Sequence, residues 1–327
     1  MLRWCGQAMK NQVGAAPDVV ENKPALAPRI TLITGTAGRT AELARLAASL
    51  TAQTVRDFEW IVVDQNADDR VAGILEQHAR EASMRRIRAA PGLSAALNLG
   101  VREAGGSIVG FPDDDGWFAT DTIARILALF DRNAAWDGIA CRAVDEAGVP
   151  SIINWSSRAG PCTRYNAWFR AVSTGLFFRR NVFDRIGGFD ETLGVGPGLL
   201  LAAHDSDFVL RAVGADFHVE YVVEPVVYHP QVARGTDADS VRKARFYAIG
   251  AGRLMRDHRM PMWWTSAAVG VPLARSVASL VRGERDAARL NWAESEGRFV
   301  GWLGAGGGRR TVASWLGGLC SSLFGAW

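Results

Sequence analysis

The chain has 327 residues, 48% hydrophobic and 22% charged, with a formal net charge of +3. That length and balance support a large buried core and exclude a disordered chain, a collagen-like repeat or a disulfide-stapled miniature. So small a net charge offers no electrostatic footprint for nucleic acid, and none is expected as a partner. Cys5, Cys141, Cys162 and Cys320 lie far apart without CxxC or Cys/His spacing, so neither disulfides nor structural zinc is expected.

Residues 1–27 are Gly-, Ala- and Pro-bearing without an apolar run. They read as a loosely ordered leader rather than a secretory signal, which points to the cytoplasm. Arg29 to Thr34 is apolar and β-branched, a first buried strand closed by Gly35. A helical pattern follows from Arg39, with Leu43, Leu46, Ala47 and Leu50 on one face. Phe58 to Val63 is a second strand, ending in Asp64-Gln65-Asn66; a helix through Val71, Ile74, Leu75 and His78 leads to a weaker third strand near Arg85 to Ala89. A helix from Leu93 to about Glu103 precedes a short apolar run, Ser107 to Gly110, and then Phe111-Pro112-Asp113-Asp114-Asp115-Gly116-Trp117.

Strands alternating with helices imply right-handed crossovers and a parallel sheet, in which ligands bind beyond the carboxyl ends of the strands. Thr34-Gly35-Thr36, Asp64 and the aspartate triad all fall at such ends and are expected to share one crevice. Two like charges about 4 Å apart repel by roughly 4 kcal/mol even at an effective dielectric of about 20. A cation placed there relieves this, and hard divalent ions prefer oxygen ligands and substrate phosphates. Taken alone, the triad also reads as a solvated acidic turn before a helix from about Ala119; its convergence with the other strand ends weighs against that.

Further along, Asp137 to Val144 and Gly175 to Arg180 read as strands, while Trp155 to Arg170 is rich in Trp, Arg, Asn and Tyr without clear periodicity. Asp205 and Asp207 open a helix and can be read as first-turn acids favoured by its dipole. Tyr221 to Tyr228 is a strand ending at His229-Pro230.

From residue 235 onward there are thirteen Lys/Arg against seven Asp/Glu, and six of the twelve tryptophans. A basic, Trp-bearing appendage suits an anionic membrane surface. Met260 to Ala274 is uncharged, but Pro261 and Pro272 argue against a continuous helix there. Thr311 to Trp327, preceded by Arg309 and Arg310, repeats apolar residues at helical spacing and fits a helix lying in the interface. The alternative is that both segments pack on the rest of the protein.

Seven short motifs carry a resemblance: Thr34 to Thr40, Phe58 to Arg70, Pro91 to Gly100, Phe111 to Trp117, Arg185 to Asp190, Asp205 to Arg211, and Val226 to Pro230. In this order and spacing, over about residues 29 to 230, they resemble the GT-A-fold, inverting family 2 glycosyltransferases that build bacterial polysaccharides. The resemblance implies an α/β fold with a Rossmann-like, mostly parallel sheet over 28–234. Its nucleotide-sugar half would be 28–135 and its acceptor half 136–234, with 235–327 as a helical, membrane-associated tail. It further implies a nucleotide site at Thr36, Arg39, Asp64, Asn98, Asp113 and Asp114, with Asp64 on the base. Mg²⁺ or Mn²⁺ would sit at Asp113, Asp115 and His229, and Asp205 would be the general base. The implied donor is a UDP- or GDP-sugar, and the acceptor a glycan or lipid-linked hydroxyl at the inner face of the cell membrane. Aromatic residues between Trp155 and Arg170 would face the acceptor, with Arg158, Arg164 or Arg170 meeting a phosphate. Three departures stand out: Leu97, where relatives often carry an arginine facing the diphosphate; His204, where they carry an acid; and the loop Gly196 to Ala203, more apolar and shorter than that of relatives. They leave open a second reading, a degenerate GT-A domain kept as a membrane-bound assembly partner.

Overall fold

The computed structural model describes residues 27–78, 83–196, 201–232 and 235–304. Strands β1 (Ile30–Thr36), β2 (Phe58–Asp64), β3 (Ser83–Arg88) and β4 (Ile108–Gly110) alternate with helices α1 (Ala41–Thr51), α2 (Ala72–His78) and α3 (Leu93–Glu103). After α4 (Thr122–Arg132) come β5 (Gly138–Val144), β6 (Gly160–Pro161), β7 (Leu176–Arg179), α5 (Arg180–Ile186), α6 (His204–Gly214) and β8 (Val219–Tyr228). Together the strands form one sheet in the order β3-β2-β1-β4-β7-β5-β8-β6. β3, β2, β1 and β4 run parallel, as the alternation of elements requires, while β7 is antiparallel to both β4 and β5.

The pleat sorts successive side chains to opposite faces. Ile30, Leu32, Trp60 and Val62 pack beneath α1, α2 and α4, whereas Ile33, Ile61 and Val63 meet α3, α5 and α6. The mixed α/β fold expected from the sequence is therefore a three-layer one, with the core on both sides of the sheet. α4 starts at Thr122 rather than near Ala119 because its entry is held from across the layer. The Gln53 amide donates to the Ala119 carbonyl (2.7 Å) and accepts from the Ile123 N–H (3.1 Å).

Three long helices follow: α7 (Ala238–Asp257), α8 (Met262–Val281) and α9 (Arg285–Leu303). α7 and α9 approach backbone to backbone; a methyl group at Gly252 would collide with the Arg298 carbonyl, and one at Gly301 with that of Ile249. The Arg245 guanidinium grips Glu296 between them (2.9 and 3.0 Å). The sequence argued against a continuous helix at Pro272, yet α8 runs straight through it. Proline removes the N–H that would bond the carbonyl four residues back. Here that carbonyl, Ala268, accepts from Arg298 Nη1 of α9 (2.7 Å), and the neighbouring Val269 carbonyl accepts from the Ser295 hydroxyl (2.9 Å). α9 thus satisfies the groups that the proline orphans. The proposed interfacial segment Thr311 to Trp327, with Arg309 and Arg310, lies outside the described residues, as does nearly all of the 1–27 leader.

Candidate active site

β1, β2 and β4 end at the same edge of the sheet, with Thr36 paired to Asp64 in register. The aspartate triad follows β4 there, on a loop fixed from three sides. The Thr34 hydroxyl on β1 donates to the Pro112 carbonyl (3.0 Å) and accepts from the Trp60 indole N–H (2.9 Å). Asp113 donates its N–H to Thr174 Oγ1 (3.4 Å). Trp117 and Tyr228 exchange backbone hydrogen bonds (3.0 and 2.9 Å), and their rings stack 5.6 Å apart. That pairing is what carries His229, distant in sequence, to the triad. It also explains Gly116: a Cβ there would lie 3.0 Å from Thr174 Oγ1 and 3.2 Å from the Tyr228 carbonyl.

Asp113, Asp115 and His229 each present one ligand atom, all within 4.8 Å of one another. His229 Nδ1 lies 2.7 Å from the Pro230 carbonyl, which can only accept, so Nδ1 carries the proton and Nε2 is left as the ligating nitrogen. Nε2 is 3.1 Å from Asp115 Oδ1. Burial pushes Asp113 up to about 7, and the carboxylates of Asp115 and Asp114 add to this against the pull of His229. Asp115 goes the other way: its burial is outweighed by His229 and Arg39. Burial disfavours a charged His229, but Asp115, the Pro230 carbonyl and Asp113 outweigh it and raise the imidazole. Two carboxylates and an imidazole, packed with a deficit of positive charge, fit a hard divalent ion such as Mg²⁺ or Mn²⁺.

Asp114 faces the other way. Its carboxylate accepts from the Thr36 hydroxyl (2.8 Å) and pairs with Arg39, whose second nitrogen reaches Asp115 (2.9 Å). Thr36 and Arg39 are therefore tied to the triad itself. Asp64 is fully buried at the end of β2. One of its oxygens accepts from Arg86, Nε at 2.9 Å, and the other from the Asn66 N–H (2.9 Å) and amide (2.7 Å). Asn98, expected at the nucleotide, has its side chain engaged within the protein. Its amide donates to the Phe189 carbonyl (2.9 Å) and accepts the Phe189 N–H (2.7 Å), bracing the Gly187-Gly188 turn. Leu97, the first departure, lies on α3 and is buried in the core.

Asp205 stands in the first turn of α6, after Ala203, which takes the left-handed φ of 95°. Its Oδ2 accepts the Ser173 N–H (3.2 Å), while the Ser173 hydroxyl donates to Asp113 Oδ1 (3.1 Å). One serine thus bridges the expected base and the expected metal site. Neither Ser173 nor Thr174 was singled out in the sequence; a lone Ser-Thr in an unpatterned stretch carries no signal. Tyr247 of α7 was missed too: burial raises its phenol, and the charges of Asp205 and Asp113 raise it further. His204 is buried against the edge of Phe189, its ring nitrogens without partners, and desolvation lowers it despite Asp205 and Asp207. Asp207 faces α7 and pairs with His258 (2.9 Å) and Arg211 (2.8 Å).

Two of the arginines expected at the acceptor side brace the scaffold. Arg170 donates to the Gly160 and Pro161 carbonyls (both 2.9 Å), and Arg164 to those of His258 and Arg259 at the end of α7 (3.1 and 2.9 Å).

Residues 31–187 match the sequence profile of Glycosyl transferase family 2. That stretch is therefore similar to a Glycosyl transferase family 2 domain. An uncharacterized glycosyltransferase of Bacillus subtilis, EpsJ, is 37% identical over 87 residues, 26% of this chain and 25% of that one. The O-antigen biosynthesis protein RfbC of Myxococcus xanthus is 25% identical over 264 residues, 75% of this chain but 20% of RfbC. This chain therefore spans a quarter or less of either relative. Among solved structures, the mannosyltransferase PcManGT of Pyrobaculum calidifontis, in complex with GDP-Man and Mn²⁺, superposes with a TM-score of 0.56 at 20% identity. The match covers 95% of this chain and 84% of that one, and bears out the GT-A fold expected from the sequence.

Proposed function

We propose that the protein is a metal-dependent, inverting glycosyltransferase. It moves a sugar from a UDP- or GDP-sugar to a hydroxyl of a cell-surface glycan or lipid-linked acceptor, at the cytoplasmic face of the membrane. The observation that carries this is the Ser173 bridge, which holds Asp205 beside the Asp113–Asp115–His229 cluster at the carboxyl end of the sheet. The complex of PcManGT with GDP-Man and Mn²⁺ on the same fold supports the donor class, and the name of RfbC supports a role in polysaccharide assembly.

Asp113, Asp115 and His229 would hold a divalent ion, which when bound would neutralise the leaving diphosphate. The chain's own residues do the rest. Arg39 and Thr36 hold Asp114 and fix the loop. Asp205, oriented by the Ser173 N–H, takes the proton from the acceptor hydroxyl as its oxygen attacks the anomeric carbon. One displacement with no enzyme nucleophile inverts that carbon. Incubation with a panel of sugar nucleotides and Mn²⁺, scored by release of UDP or GDP, tests the reading. Release from one donor, lost in Asp115→Ala and in Asp205→Asn, is the expected result; no release from any donor contradicts it.

Peripheral membrane attachment belongs to the same reading, supported by the excess of Lys/Arg over Asp/Glu from residue 235 onward.

A further inference from the structure

Helix α8 is inside out. Its buried positions are Thr265, Pro272, Ser276 and Ser279, and the Ser276 hydroxyl donates to the Ala288 carbonyl of α9 (2.8 Å). Its outer side carries the large apolar residues: Met262 is 60% exposed, Trp263 66% and Val281 84%. Leu273 and Val277 are exposed as well and, with Val281, recur four residues apart, so they form one continuous stripe along the helix. A helix in water does the opposite, since each such side chain loses about 1.5–3 kcal/mol by staying exposed.

At its first turn the stripe widens. Tyr165 packs on Trp263 (5.8 Å between rings) and Trp168 on Trp264 (5.1 Å), and Phe169 is left exposed next to Trp168. α8 contains no acidic residue; its single charge is the exposed Arg275. Aliphatic residues along a helix, aromatic rings at one end and a lone cation suit the boundary between acyl chains and anionic headgroups. No described helix is long and apolar enough to cross a membrane.

We infer that the outer face of α8, with Tyr165 and Phe169, is the surface by which the protein rests on an anionic phospholipid membrane. This deepens the membrane attachment proposed above and rests on it. The 163–169 loop belongs to the acceptor half, so the same contact sets that half against the lipid surface, where a lipid-linked hydroxyl would be presented.

The test is flotation of the full chain with mixed phosphatidylcholine–phosphatidylglycerol vesicles, comparing wild type with the variant W263S/V277S/V281S. These side chains are exposed, so the variant folds, and an unchanged circular dichroism spectrum and melting midpoint check this. The expected outcome is vesicle binding by wild type, and at least a roughly tenfold weaker partition for the variant. Equal flotation of the two proteins overturns the assignment of this face. So does a wild-type dimer in lipid-free buffer that the variant converts to monomer, because a second copy then covers the stripe. A chain lacking residues 305–327 that no longer floats, beside a W263S/V277S/V281S variant that does, gives the contact to the terminal segment instead. Wild type failing to float sinks the membrane reading as a whole, a result separate from loss of nucleotide binding.

Discussion

The aspartate loop and the α8 helix break opposite rules of folding. The loop places Asp113, Asp114 and Asp115 in partly or fully buried positions beside Arg39 and the His229 imidazole. The helix turns Trp263, Val277 and Val281 outward and small polar residues inward. Each region is costly as an isolated structure in water, and the ligand proposed above for each would offset that cost: a divalent cation and a diphosphate in the first case, a lipid surface in the second. Local violations of packing and charge rules mark where a protein meets its ligands.

Breaking the loop has the largest expected effect. Asp205→Asn is expected to lower kcat/KM about 10²–10⁴-fold, the usual weight of a positioned base, with nucleotide affinity unchanged. Equal loss of nucleotide binding would place Asp205 in the donor site instead. Asp115→Ala is expected to cost about 10²–10³-fold and to abolish any effect of Mn²⁺ on nucleotide binding. Metal-dependent binding by that variant would remove Asp115 from the ligand set.

Stability sharpens the comparison. Asp113 titrates at about 7 in the folded chain, above the 3.8 of an ordinary aspartate. Between those values the folded state holds a proton that the unfolded state has lost, so metal-free stability falls as pH rises across that window. Asp113→Asn is therefore expected to stabilise the metal-free protein by about 1–3 kcal/mol at pH 7 and to bring no gain below about pH 4. A melting curve that is destabilised at pH 7 would show that the carboxylate is not under strain. In the helical region, Gly252→Ala forces α7 away from α9 and is expected to cost about 1–3 kcal/mol, read as a lower melting midpoint with the metal response of nucleotide binding intact. The smallest effect belongs to Ser173→Ala: the N–H to Asp205 survives and only the hydroxyl to Asp113 is lost, for about 0.5–1.5 kcal/mol, a few-fold in rate.

Much of the β1–β4 region was legible in the sequence, because parallel strands announce themselves as short β-branched runs and deliver their carboxyl ends to one edge. The Asp113–Asp115–His229 cluster could be anticipated from the resemblance, although what joins it, the Trp117–Tyr228 pairing, is a long-range contact that no local pattern signals. Ser173, Thr174 and Tyr247 escaped for the same reason. The bracing of the Gly187-Gly188 turn by Asn98, where a methyl group at Gly188 would meet its amide, is another long-range contact without a local signal. α8 was misjudged at Pro272 because the residues that rescue its orphaned carbonyls, Ser295 and Arg298, come from a different helix.

Isothermal titration of GDP and UDP into the metal-free protein, with and without Mn²⁺, addresses the loop most directly. Binding of at least one of the two nucleotides that strengthens at least about tenfold with Mn²⁺, and loses that gain in Asp115→Ala, is the predicted result. Equal affinity with and without the ion, or no binding of either nucleotide, would contradict a cation-filled diphosphate site at Asp113, Asp115 and His229.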